Sequence, residues 1–180
     1  MNYFDNYFKN IYELSLTLNN SDIEECVKLI NEASKLNGKL IIVGNGGSAA
    51  IASHVAVDFT KAASIRAINF NEADLITCFA NDYGYEYWVE NALKFYADKN
   101  DTVILISSSG SSKNIINGAK FCNLSKIKCI TLSGFSEDNE LKKYGNINLW
   151  VKSNNYNYVE ITHQTWLLSI LDYIISNQNK

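Results

Sequence analysis

What the 180-residue chain lacks narrows its chemistry first. It has no proline, an absence that says more about composition than about chemistry. It has no cluster of lysine and arginine, and its formal net charge is −3. No surface is therefore prepared to neutralise a run of phosphates, which excludes sequence-independent nucleic-acid binding. None of the four cysteines, Cys26, Cys78, Cys122 and Cys129, stands in a C-x-x-C spacing. Each falls in an apolar context, so all four are expected to be buried small hydrophobes rather than metal ligands or disulfides. No apolar stretch is long enough to span a bilayer. The opening MNYFDNYFKN lacks the apolar segment of a secretory signal. A soluble, cytoplasmic protein without a membrane partner is the expectation. Histidine is also scarce: only His54 and His163 occur.

What is present is ample apolar material, 47% of the residues, in a length that suits one domain over 1–180. Apolar residues at helical spacing over 3–19 predict a first helix, and a second follows to about Leu36, with Ser21 or Asp22 as its cap. These two helices, about 3–36, carry more apolar surface than a solvated arm needs, and are expected to pack against other copies of the chain. KLIIVG (39–44), TVILI within 101–107 and KCITLSG (128–134) are continuous apolar runs of the kind buried on both sheet faces. A weakly alternating strand is expected at 65–70 and a further strand at 146–153. Helices are expected between them, at 49–61, 73–82 (short, with a turn), 85–97, 112–125 and 137–145 (short), and a long one at 158–178. Alternating strands and helices predict an α/β fold, a three-layer αβα sandwich around a five-stranded parallel sheet.

Two small-residue turns punctuate this pattern, GNGGS at 44–48 and SSSGSS at 107–112, each between a buried strand and a helix. Ligands of such sheets bind beyond the carboxyl ends of the strands. Glycine lets a ligand approach the backbone, and a helix start offers free N–H groups and a positive dipole end to an anion. The serine hydroxyls add donors. The pattern is neither G-x-x-x-x-G-K nor G-x-G-x-x-G, so a monophosphate is implied and a nucleotide cofactor is not. The candidate ligand-binding residues are Asn45, Gly46, Gly47, Ser48, Ser107, Ser108, Ser109 and Ser112. Asn81 and Asp82 of ANDYGY are expected to meet sugar hydroxyls or to cap a turn.

VGNGGSAAIASHVAVDF, ANDYGYEYWVE, ISSSGSSKNI, ITLSG and VEITHQ, in that order, resemble the sugar isomerase (SIS) domain, and within it the phosphoheptose isomerase group. The resemblance covers residues from about 5 to 175. It implies a homotetramer with active sites between subunits, a phosphorylated sugar as ligand, and conversion of sedoheptulose 7-phosphate to D-glycero-D-manno-heptose 7-phosphate for surface polysaccharide. Some members hold zinc.

Isomerisation through an enediol needs a base for a carbon-bound proton and a group that holds the oxygen where charge develops. Two clusters offer such groups. His54 and Asp58 are four apart and share a helix face. Glu160, His163 and Gln164 lie within about one turn of the last helix. The resemblance is broken at several of these positions. Asp58 stands where the family has a glutamate, Glu160 where it has a glutamine, and Leu168 where it has its catalytic histidine. The family's arginine after the Asp58 position is missing, with Lys61 and Arg66 as the nearby cations. Two readings follow. In one, Asp58, Glu160 and His163 carry redistributed catalysis, with His54, Asp58 and Glu160 as a possible three-ligand zinc site. In the other, the domain is catalytically silent and binds a sugar phosphate or a protein partner as a regulator.

Overall fold

The computed structural model describes residues 2–178. Helices α1 (Tyr3–Ser15) and α2 (Asn20–Lys35) precede strand β1 (Leu40–Gly44). There follow α3 (Gly47–Ala62), β2 (Ala67–Asn69), α4 (Ala73–Tyr83), α5 (Trp88–Tyr96), β3 (Thr102–Ser107), α6 (Lys113–Ser125), β4 (Lys128–Ser133), a 3-10 turn (Glu140–Lys143), β5 (Ile147–Trp150) and α7 (Tyr156–Gln178). The five strands form one sheet in the order β2-β1-β3-β4-β5, every pair parallel.

Strand side chains alternate between two cores because successive residues point to opposite faces. Leu40, Ile42, Ile104, Ile106, Ile130 and Leu132 pack under α2, α3 and α7. Ile41, Val43, Val103, Leu105 and Cys129 pack under α5 and α6. Burial on both faces explains why β1 and β3 read as unbroken apolar runs. The edge strands are shorter than the sequence suggests. β2 keeps three residues of 65–70 and is nowhere fully buried, and β5 keeps four of 146–153 with only alternate positions buried. The segment 137–145 yields one 3-10 turn instead of a short helix. Asn19, not Ser21 or Asp22, caps α2, its side chain accepting from the Ser21 N–H at 3.2 Å. Cys26, Cys122 and Cys129 are buried, and burial, with Asp22 and Glu25 nearby, pushes the Cys26 thiol up to about 12. Cys78 is exposed on α4, against expectation. That helix packs against the core through Leu75, Ile76, Phe79 and Ala80, none of them fully buried, and Cys78 lies on its other side.

The amino ends of the two central strands are tied by a nearly buried ion pair. Asp101 is fully buried and accepts from the Lys39 N–H (2.9 Å), the Lys39 ammonium (2.7 Å) and the Asp98 N–H (2.7 Å). Lys39 Nζ also meets Asp98 at 3.0 Å. Burial opposes the Lys39 charge, but the bonds to Asp101 and Asp98 outweigh it and hold the ammonium above its ordinary 10.5. The pair sits one residue before Leu40 and Thr102, which are partners in the β1–β3 register. Asp101→Ala strands two N–H groups and leaves the ammonium only the exposed Asp98. It is expected to cost about 3 kcal/mol, read as a lowered urea midpoint at pH 7.

Candidate functional site

Strand order places the site. From β1 the chain leaves to α3 on one face, and from β3 it leaves to α6 on the other. A crevice opens between the carboxyl ends of β1 and β3, where the winding reverses. GNGGS and SSSGSS both end there. Gly46 caps α3 with φ +53°, a conformation glycine adopts without strain. Gly47 leaves room of a different kind: a Cβ there would meet the carboxylate end of Glu160 from α7, which would have to swing aside. That carboxylate therefore stands over the start of α3, where unpaired N–H groups and the helix dipole favour negative charge.

Asn45, Ser48, Ile106, Ser107, Ser108, Ser109, Ser112, Tyr156 and Glu160 line a cavity of about 120 Å³. Ser107 Oγ donates to Ser112 Oγ at 3.0 Å, and Ser109 and Ser111 share a hydroxyl contact at 2.8 Å. These hydroxyls crowd the start of α6, whose N-cap is Ser112 and whose cap side chain bonds no backbone N–H. Ser108 Oγ donates to Glu160 Oε1 over a long 3.4 Å. The cavity thus lies between two helix amino ends. Hydroxyls surround the one at α6, and a carboxylate occupies the one at α3.

Asn45 also faces a wider cavity of about 500 Å³ with Gly84, Tyr85, Glu86, Ser112, Lys113 and Asn114. Its amide pairs reciprocally with that of buried Asn114, at 2.8 and 3.0 Å, and accepts from the Tyr85 hydroxyl at 3.2 Å. Asn114, Tyr85 and Tyr156 were not among the expected site residues. Asn114 directly follows the serine turn by two positions, which is a usable signal. Tyr156 gave none, because only the tertiary approach of α7 brings it to the cavity. Asn81 and Asp82 are exposed at the end of α4, bonded to each other at 2.9 Å, and line neither cavity.

The expected catalytic and metal residues do not converge. His54 is half exposed; its Nε2 meets Asp58 Oδ2 at 3.0 Å and its Nδ1 meets Gln164 Nε2 at 2.6 Å. At a rise of about 1.5 Å per residue, the Asp58 backbone lies about 16 Å along α3 from Gly47, over which Glu160 sits. Among the described residues no three of His, Cys, Asp and Glu come together as a metal set. The trio His54, Asp58 and Glu160 is thus not assembled among the described residues of one chain. Leu168 is part-buried against the α7 core. Arg66 donates to Gly38 O at 3.2 Å and to Asn37 O, at the amino end of β1 and away from the cavity. Lys61 lies in the last turn of α3, about 21 Å along the helix from Gly47.

His163 is fully buried and lines neither cavity. Its Nε2 donates to Ser133 O at 3.0 Å, and its Nδ1 has no partner. Burial, only partly offset by that bond, lowers its pKa from 6.5 to about 4. It is a neutral wedge between α7 and β4. Between those two values the unfolded chain takes a proton that the folded chain refuses. Stability should therefore fall as pH drops from 6.5 to about 4, by about 3 kcal/mol in all. His163→Gln, which keeps a donor for Ser133, should flatten that limb when urea midpoints at pH 4.5 and 7 are compared with the wild type.

Known proteins share this fold. The family model described as SIS domain matches residues 2–134. The phosphoheptose isomerase of Helicobacter pylori is 30% identical over 172 residues, 92% of this chain and 89% of that protein. That of Aliarcobacter butzleri is 32% identical over 147 residues, 78% of this chain and 77% of its own length. The solved structure of the phosphoheptose isomerase from Neisseria gonorrhoeae superposes with a TM-score of 0.86 at 23% identity, covering 95% of this chain and 94% of that one.

Proposed function

The chain belongs to the SIS domain family, and from that premise we propose that it is an aldose–ketose isomerase of a sugar phosphate, acting on a seven-carbon ketose 7-phosphate. The observation that carries the reading is the serine-lined cavity between two helix amino ends with Glu160 on its wall. The phosphate lies at the start of α6, among the hydroxyls of Ser107, Ser109 and Ser112 and the free N–H groups of the helix. Ser48, Asn45 and Ser108 border the carbon chain. Glu160, at the opposite end, takes the proton from the carbon beside the carbonyl. The bonding pair forms the C=C of an enediol as the carbonyl oxygen gains a proton. Return of a proton to the neighbouring carbon, with loss of one from its oxygen, completes the shift without net change of atoms or electrons. His54, held by Asp58, lines neither cavity of one chain, so its part in moving the oxygen-bound proton belongs to a site completed between subunits.

Relatives named phosphoheptose isomerase support the choice of a heptose. The product would feed heptose-containing surface polysaccharide. Self-association as a tetramer is part of the same proposal. Phe4, Phe8, Tyr12 and Leu16 repeat every four residues along α1 and are 65–67% exposed. No residue of α1 is buried within the chain. Light scattering at micromolar concentration should give a mass near four chains, and Phe4→Ser with Phe8→Ser should lower it.

A silent, ligand-binding domain is the second reading, favoured by Leu168 and by the dispersed metal set. Incubation with sedoheptulose 7-phosphate in deuterated water separates the two. The enzyme places deuterium in the sugar as aldose forms. Glu160→Gln and Asp58→Asn should each lower that exchange at least about a hundredfold. Ser109→Ala should weaken binding measured by titration calorimetry. Binding without exchange for any candidate ketose establishes the silent domain.

A further inference from the structure

The contact between α7 and α3 at Gln164 and His54 is not absorbed by the proton steps above. Gln164 is one turn beyond Glu160 on α7, and His54 and Asp58 are one turn apart on α3, so both helices present their polar groups along one seam. The two contacts on the imidazole are chemically selective. A carboxylate only accepts, so the Asp58 oxygen at 3.0 Å requires a proton on Nε2. A neutral ring then has Nδ1 bare, and whatever faces it must donate. The group at 2.6 Å is the amide nitrogen of Gln164, which only donates. Both neighbours call for the same tautomer.

We propose that Gln164 is a positioning residue that holds His54 in one orientation as the Nε2–H tautomer, so that Nδ1, facing the Gln164 amide across the α3–α7 seam, is its unprotonated nitrogen. The residue type follows from the task. Leucine gives Nδ1 no partner, and a lysine would bring a charge. An amide serves the neutral ring through its NH₂ group and, after a half-turn of its terminal group, serves the ring carrying a second proton through its carbonyl. The ring is exposed enough to meet a ligand, with half its surface open, so its order depends on these two bonds and not on packing.

The inference rests on the isomerase reading for its importance to turnover, but its geometry is tested separately. Uniformly ¹⁵N-labelled protein at pH 8 has two histidine ring systems to assign, and His54→Asn identifies the signals of His54. The wild type should show one set for His54, with Nδ1 bare and Nε2 protonated. Gln164→Leu, with unchanged circular dichroism and thermal midpoint, should give a mixture of both tautomers. Its kcat should fall about tenfold or more with KM little changed. Gln164→Met provides the same deletion if the leucine variant does not fold. A wild-type ring protonated at Nδ1 overturns the proposal. So does a tautomer unchanged in both variants, which would mean that Asp58 alone sets it. A tautomer that shifts in a protein without isomerase activity upholds the positioning role and overturns the isomerase reading instead.

Discussion

The site depends on one constraint: five parallel strands put every strand's carboxyl end, and hence the start of each following helix, on the same edge of the sheet. Where β1 and β3 lie side by side and send their helices to opposite faces, two helix amino ends open toward one crevice. Each brings unpaired N–H groups and partial positive charge. Small residues keep the crevice clear, glycine at the start of α3 and serine at the start of α6. The remote ion pair of Lys39 and Asp101 serves the same arrangement from the other end of the sheet. It fixes the register of β1 against β3, and the register sets how GNGGS and SSSGSS stand relative to each other.

Most of this was legible in the sequence, and for a physical reason. Central strands buried on both faces must be continuously apolar, so LIIVG and TVILIS announce themselves, and the turns between strand and helix need glycine or serine at fixed offsets. The edge strands were overextended because one-sided burial leaves only alternate positions constrained, and a four-residue strand such as INLW has too few positions to fix its ends. That Asn45, Ser48, Ser107, Ser108, Ser109 and Ser112 line one cavity was legible because they fall in two short stretches of the chain. The residues on α7 were legible only as candidates. Glu160, His163 and Gln164 fall within five positions, yet the helix turns one into the cavity, one into the core and one toward α3. A periodicity of 3.6 puts Glu160 and Gln164 on one face, about 40° apart, and turns His163 about 100° away from Gln164. It does not say which of them meets water without the placement of α3 and β4.

His163 illustrates the cost of reading chemistry from residue type. A histidine in a helix near a predicted site is a candidate base, but a base must be reachable and must accept a proton near neutral pH. Burial against Ser133 denies both. Glu160 is the opposite case. Its presence on a phosphate cavity looks unfavourable, since a carboxylate and one phosphate charge about 6 Å apart at an effective dielectric of about 20 repel by about 3 kcal/mol.

The separation of the two helix ends resolves that conflict. The carboxylate does not share the α6 end with the serine hydroxyls. It sits over Gly47 at the α3 end, where the dipole offsets the charge by about 1 kcal/mol and backbone N–H groups add to it. The bond from Ser108 is long in the free protein, at 3.4 Å, so it has room to tighten as a ligand fills the cavity and displaces water. In the proposed isomerisation, what repulsion remains would fall on the ligand-bound ground state and be relieved when the carboxylate takes a proton, so the same placement that weakens binding would favour proton abstraction. A neutral glutamine at this position would bind the phosphate end with less penalty and could not take the proton. With leucine at 168 leaving no imidazole on that turn of α7, the carboxylate at 160 is the group on this helix that reaches the cavity and can accept one.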